Sequence, residues 1–88
     1  MGLYQTKPVT VEARQWDGTQ AAADELIAWV KAGGMLAYYE TTDADAHIVI
    51  NTVTGPDYAS AMDWVVKGVA GEFRPVRDDI FTLTYEEA

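Results

Sequence analysis

The amino-acid sequence predicts a single α+β domain spanning residues 1–88, in which one α-helix at about 20–32 covers a curled, mainly antiparallel β-sheet of about five to seven short strands. Three observations predict this class. The chain has 88 residues, of which 49% are hydrophobic, and this suffices for one core but not for two. A single segment carries an apolar stripe at helical spacing. Several other segments are short, alternating or apolar throughout, and are separated by glycine, proline or aspartate.

The chain opens with a predicted strand and the predicted helix. Residues 9–16 alternate between apolar and polar side chains, which is typical of a half-buried strand, and Pro8 precedes them at a position that strands tolerate. Thr19 follows an Asp-Gly turn and can cap a helix. From 20 to about 32 the apolar residues form one stripe, and a Gly-Gly pair at 33–34 supplies a left-handed stop.

The remainder of the chain predicts short strands. The closing strand has the clearest period of two, because Phe81, Leu83 and Tyr85 alternate with polar residues. The segment before it, 77–79, predicts a tight turn or a single helical turn, and Pro75 confines its own strand to a sheet edge or bends it. The other predicted strands lie at 35–41, 46–53, 58–61, 64–66 and 72–76.

The charge of the chain is strongly negative. It carries 6 basic and 14 acidic residues, a formal net charge of −8. Affinity for a phosphate backbone depends on lysine and arginine displacing counterions, so this balance disfavours direct binding to nucleic acid. We interpret the acidic residues mainly as a source of solubility. The sharper alternative is an acidic face that docks a basic partner or imitates nucleic acid.

Composition also bears on the cellular setting. The chain has no cysteine, which excludes disulfides and thiolate metal sites and fits a reducing cytoplasm. Its first residues hold no apolar signal core, and no run approaches the roughly 18 apolar residues of a membrane span. We therefore expect an intracellular protein that does not associate with membranes.

Two separated blocks of the sequence carry a family resemblance. The first is KPVTVEARQW at 7–16, and the second comprises DWVVKGV at 63–69, GEF at 71–73 and a closing DIF…TYE within 79–86. In these motifs, and in their order, the chain resembles a family of small phage and prophage proteins that is common in phages of actinobacteria. The resemblance covers both ends of the chain and leaves a variable middle.

The resemblance implies a phage or prophage origin and this α+β fold. It carries over no catalytic residue. The chain departs from the family pattern at three positions: Met62 replaces the usual glycine before Asp-Trp, Arg74 replaces a tyrosine, and Asp78 replaces a proline. The first departure concerns the geometry of a turn, and the second removes an aromatic side chain.

The residues needed for catalysis are scarce. Nucleophilic catalysis requires a nucleophile, a base and a group that orients the base, but His47 is the only histidine and Ser60 the only serine. We predict no catalytic residue, and we favour a protein that is not an enzyme while leaving that question open. For the carboxylates we expect structural roles, in which Asp63 caps a turn and Glu72 pairs with Lys67 across a hairpin.

A metal site is the weaker of two interpretations for the segment 43–47. Asp43, Asp45 and His47 alternate and would share one side of an extended chain, where they could bind a divalent cation. The same residues are typical of a polar turn, and we favour that interpretation. We therefore predict no metal and no cofactor.

A ligand site is predicted where aromatic and basic residues combine. Aromatic walls with a few convergent polar groups are what small-molecule sites require, and the basic side chains could bind an anion. The candidate ligand-binding residues are Trp16, Lys67, Glu72, Arg74, Arg77 and Tyr85. Trp64, Phe73 and Phe81 are assigned to the core instead. Three further aromatic residues, Tyr38, Tyr39 and Tyr58, could anchor a protein interface.

Three functional hypotheses follow. The first is a non-enzymatic phage accessory protein that binds a host or phage protein in the host cytoplasm, or forms a homo-oligomer through an unpaired strand edge. The second is a protein that binds and sequesters a small anionic, nucleotide-like molecule. The third is a small hydrolase.

Overall fold

The fold consists of two antiparallel sheets of three strands each and two helices, which confirms the predicted α+β class. The computed structural model describes residues 2–3, 10–42 and 45–86. Along the chain the elements are β1 (Glu12–Gln15), α1 (Gln20–Ala32), β2 (Leu36–Thr41), β3 (Ala46–Thr52), β4 (Gly55–Ala59), β5 (Trp64–Lys67), β6 (Phe73–Val76) and α2 (Asp78–Thr84).

The strands form two sheets and not the single curled sheet that the sequence predicted. One sheet has the order β1-β5-β6 and the other β2-β3-β4. The two ends of the chain do meet in one sheet, since Arg14 of β1 lies opposite Val65 of β5. In the second sheet the three strands follow one another as a meander, with Ile48 opposite Ala59. Alternation identifies a strand but not its partner, so the division into two sheets was not visible in the sequence.

Helix α1 matches its prediction. The Thr19 hydroxyl accepts a hydrogen bond from the backbone N–H of Ala22, at 3.2 Å, and so caps the first turn. The helix packs against β2. Gly34 has a φ of 94°, the left-handed conformation expected after the last turn. The side chains that the helix buries are Ala23, Leu26 and Val30.

The core lies between α1 and the inward faces of both sheets. Trp16, at the end of β1, has no exposed surface, and its Nε1 donates a hydrogen bond to the carbonyl of Thr19 at 2.8 Å. The ring of Phe73 meets that of Trp29 edge-on, with centroids 5.0 Å apart. The other buried members of this cluster are Ala23, Leu26, Val30, Ala37, Ile48, Ile50, Ala59 and Val65.

The predicted closing strand is wrong, because Asp78–Thr84 forms helix α2. Phe81 stacks on Trp64 with ring centroids 4.0 Å apart and an interplanar angle of 9°. In a helix, residues four apart share one face, so Phe81 and Tyr85 both turn toward the β1-β5-β6 sheet while Leu83 stays 86% exposed. The alternation of aromatic and threonine residues predicts a strand, but the stacking of Phe81 on Trp64 stabilises a helix in its place.

Two other strands differ from their predictions in extent. The first was predicted at 9–16 and is Glu12–Gln15, with Val9 outside the described residues. The short strand expected at 58–61 is Gly55–Ala59, because it pairs directly with β3 after a tight turn. Neither of the described helices combines the length and the apolarity that crossing a bilayer requires.

Candidate binding surfaces

The outward face of the β2-β3-β4 sheet carries a row of exposed aromatic side chains. Val49 lies opposite Tyr38 on one side and opposite Tyr58 on the other. Val49 has no exposed surface, whereas Tyr38 is 49% and Tyr58 55% exposed. His47 meets the Tyr58 ring edge-on at 6.1 Å, and Leu36, on the same side of β2, is 64% exposed. We call Leu36, Tyr38, His47, Val49 and Tyr58 the tyrosine face.

Strand alternation explains which tyrosines belong to this face. Successive residues of a strand point to opposite sides, so Tyr38 and its neighbour Tyr39 separate. Tyr39 is half-buried and meets the ring of Trp16 edge-on, with centroids 6.3 Å apart. Of the three tyrosines that the sequence suggested for an interface, the structure therefore brings Tyr38 and Tyr58 together and turns Tyr39 inward.

The predicted ligand-binding residues do not form one site. Trp16 is fully buried, so its ring serves the core. The Nζ of Lys67 lies 5.8 Å from the centre of the Phe73 ring. The expected ion pair between Lys67 and Glu72 does not form. The Glu72 carboxylate lies against Gly68, where a Cβ would overlap it. Within the described ranges, the ion pairs are Arg14–Glu12 and Arg77–Asp79.

Three of the predicted residues do meet in a groove between β6 and α2. Arg74, Arg77 and Tyr85 line this groove, which has a volume of about 410 Å³. The Nη2 of Arg74 donates to the Tyr85 hydroxyl at 3.4 Å, and the Nη2 of Arg77 lies 3.0 Å from the Asp79 carboxylate. We call it the arginine groove.

Arg74 also borders a second groove. This one, of about 480 Å³, lies between the start of β6, the start of β2 and the end of β3, and Glu72 and Asp57 contribute to its lining with Arg74. Two carboxylates beside one guanidinium leave little positive charge for an anion, so the arginine groove is the better anion site of the two.

The residues considered for catalysis have structural partners. The backbone N–H of Ser60 donates to the Asp63 carboxylate at 2.9 Å, which confirms that Asp63 caps a turn. Glu40 lies opposite His47 in the ladder, but among the hydrogen bonds of the described side chains none joins His47 to Glu40 or to Ser60. The structure therefore shows no nucleophile hydrogen-bonded to a base in the part of the chain that it describes.

The alternative interpretation of Asp43, Asp45 and His47 as a metal site can be followed only in part, because Asp43 lies outside the described residues. Within the described ranges, no three acidic or histidine side chains lie close enough to hold a metal ion. The hydroxyl of Thr42 accepts from the backbone N–H of Asp45 at 3.3 Å, as expected for the polar turn.

One carboxylate has a shifted pKa. The hydroxyl of Thr19 donates to Asp17 at 2.7 Å and its backbone N–H donates at 2.9 Å. These hydrogen bonds, led by the hydroxyl, hold the pKa of Asp17 below its ordinary value of 3.8, because they favour the charged carboxylate. Asp17 thus fixes the residue that caps α1.

Sequence reasoning missed two features near α2. Trp64 donates from Nε1 to the Asp78 carboxylate at 2.9 Å, and this bond ties α2 to β5. Met62 adopts a left-handed backbone with a φ of 72°. The glycine that the resemblance led us to expect at this position was the available sign of that conformation.

Comparisons of the chain with protein-family models, with curated proteins and with solved structures found no match.

Proposed function

We propose that this protein is a phage accessory protein that acts by binding another protein in the host cytoplasm, through the tyrosine face. The observation that carries the proposal is the row Tyr38–Val49–Tyr58, in which two half-exposed aromatic rings flank a buried valine on the outward side of a sheet. The phage origin rests on the sequence motifs at 7–16 and 63–86.

The tyrosine face suits protein recognition for physical reasons. An outward sheet face is usually polar, so adjacent exposed apolar and aromatic side chains such as Leu36, Tyr38 and Tyr58 are informative. Tyrosine supplies a large contact area at little cost in conformational entropy and is enriched among the residues that dominate binding energy. The strands hold both rings in fixed register, so little order has to be created on binding.

The test is affinity capture from host lysate with three baits. They are the wild type, the double variant Tyr38→Thr/Tyr58→Thr, and the control Leu83→Thr, which changes an apolar residue that is 86% exposed but lies on α2. Threonine preserves strand propensity. We expect at least one host protein to be retained by the wild type and the control and lost from the double variant. That protein is then purified and its binding measured directly. Identical captures by all three baits would refute the role of the tyrosine face.

Self-association is the related alternative within the same class. Both sheets have three strands, so β1 and β6 are edges of one sheet and β2 and β4 of the other. Sedimentation of the purified protein over a wide concentration range measures the oligomeric state. A dimer that persists in the double tyrosine variant would exclude the tyrosine face as the interface and favour a strand edge.

The second candidate function is binding of a small anion, and the arginine groove favours it. Arg74 and Arg77 are exposed and lie in one groove with Tyr85, and a phosphate group is a good acceptor for guanidinium donors. Nucleotides and inorganic phosphate should then raise the thermal midpoint of the wild type and of Lys31→Gln, an exposed cation on α1. They should not raise that of Arg74→Gln. Equal shifts in all three proteins would place the anion elsewhere.

A further inference from the structure

We infer that the partner of the tyrosine face is a basic segment, in which lysine or arginine residues accompany apolar ones. This inference rests on the proposed function and specifies the chemistry of the partner. It is carried by the distribution of charge along the chain and across the sheet.

Charge is segregated in the sequence. Between Lys31 and Lys67 the chain has no lysine or arginine, and in the same interval it has five acidic residues: Glu40, Asp43, Asp45, Asp57 and Asp63. This interval contains all of β2, β3 and β4. The whole sheet that presents the tyrosine face therefore lacks a permanent cation.

The fold places part of this negative charge beside the tyrosine face. Glu40 lies opposite His47 in the ladder between β2 and β3, and its side chain is on the same side of the sheet as that of Tyr38. Asp45, directly before β3, is exposed at the same end of the sheet. Asp57 pairs with Ile50 and belongs to the inward side. The face thus has an apolar centre and an acidic end.

This pattern selects one kind of occupant. A basic side chain can meet Glu40 and Asp45 at the acidic end, and it can also lie over the face of a tyrosine ring in a cation–π contact. Apolar side chains of the same segment can cover Leu36, Tyr38 and Tyr58. Complementary charge increases the rate of encounter and suppresses wrong partners more than it adds affinity.

The same charges disfavour the other occupants. Nucleic acid and anionic lipid headgroups carry phosphate, which Glu40 and Asp45 would repel. A second copy of the chain has the same net charge of −8. A two-fold symmetric contact through this face would place two acidic surfaces in one interface without any lysine or arginine of the sheet to offset them.

The test uses a displayed library of random linear peptides as the probe. The library is selected on the wild type and on Tyr38→Thr/Tyr58→Thr, and peptides that bind only the wild type are synthesised. We expect these peptides to carry net positive charge together with apolar residues. Their affinity for the wild type should fall by at least about threefold between about 50 mM and about 300 mM salt, because salt reaches and screens the exposed Asp45 and the half-buried Glu40.

Two variants test the charge of the acidic end. Glu40→Gln removes one of its negative charges, and the control Glu25→Gln removes the same charge from an exposed position on α1. Glu40 is half-buried, so Glu40→Gln should weaken binding at least as much as the loss of an exposed ion pair, about two- to fivefold, and Glu25→Gln should leave it unchanged. Peptides that need both tyrosines but are neutral or acidic would overturn this inference and leave the proposed function standing. Failure to recover any tyrosine-dependent peptide would overturn both, and basic peptides that bind the double variant equally well would exclude the tyrosine face as their site.

Discussion

Replacement of Met62 by glycine should stabilise the protein. Met62 occupies the turn before β5 with a φ of 72°, a conformation in which the Cβ of an L-residue crowds the following carbonyl. The turn is fixed by backbone contacts, since the Met62 N–H donates to the carbonyl of Trp16 at 2.7 Å and its own carbonyl accepts from Gln15 Nε2 at 3.0 Å. The Met62 side chain is 51% exposed, so its removal sacrifices little packing.

The expected magnitude follows from two opposing effects. Relief of the left-handed conformation is worth about 1–2 kcal/mol. The greater flexibility of glycine in the unfolded chain offsets about 0.4–1 kcal/mol of this. At the middle of these ranges Met62→Gly should raise the free energy of unfolding by about 0.8 kcal/mol, which for a domain of this size is an increase of about 3–6 °C in the thermal midpoint.

The assay is urea unfolding followed by tryptophan fluorescence, with Met62→Ala and Met62→Val as controls. Alanine keeps the Cβ and the strain, so its midpoint should stay near that of the wild type. Valine adds a β-branch to a left-handed residue and should lower the midpoint. The urea dependence of the free energy should not change among them. If Met62→Gly is no more stable than Met62→Ala, left-handed strain does not limit the stability of this turn.

The remaining predictions concern packing, the docking of α2 and acid stability. Gly33→Ala should destabilise the fold by about 1–3 kcal/mol in urea unfolding, because the new methyl group would overlap the buried Phe73 ring; an unchanged midpoint would mean that the ring can move aside. Phe81→Ala should accelerate amide hydrogen exchange in α2 while β2 and β3 stay protected, since it removes the stack on Trp64; unaltered exchange in α2 would show that other contacts hold the helix. Asp17 has a lowered pKa in the folded protein, so its contribution to stability is full above its ordinary value of 3.8 and is lost as the pH falls below that value. The wild type should thus lose more unfolding free energy than Asp17→Asn in acid titrations from about pH 5 to about pH 2, and parallel losses would contradict this.

Much of the fold could be predicted from local signals. The capping residue Thr19, the apolar stripe of α1 and the glycine stop at Gly34 all act within a few residues, and the structure has each of them where the sequence placed it. The short strands were recognised for the same reason, because alternation is a property of neighbouring residues. The sequence also indicated that exposed tyrosines could form an interface, but it did not show which of the tyrosines share one side of the sheet.

Contacts between distant residues decided the rest. The closing segment alternates like a strand and yet forms α2, because Phe81 stacks on Trp64 and Asp78 accepts the hydrogen bond from its indole. Tyr38 and Tyr58 became neighbours only when β3 paired with both of their strands. Composition and periodicity thus determined which elements form as far as Val76, through short-range backbone and side-chain preferences. Pairing and docking determined where they meet, because their energies depend on partners far away in the chain.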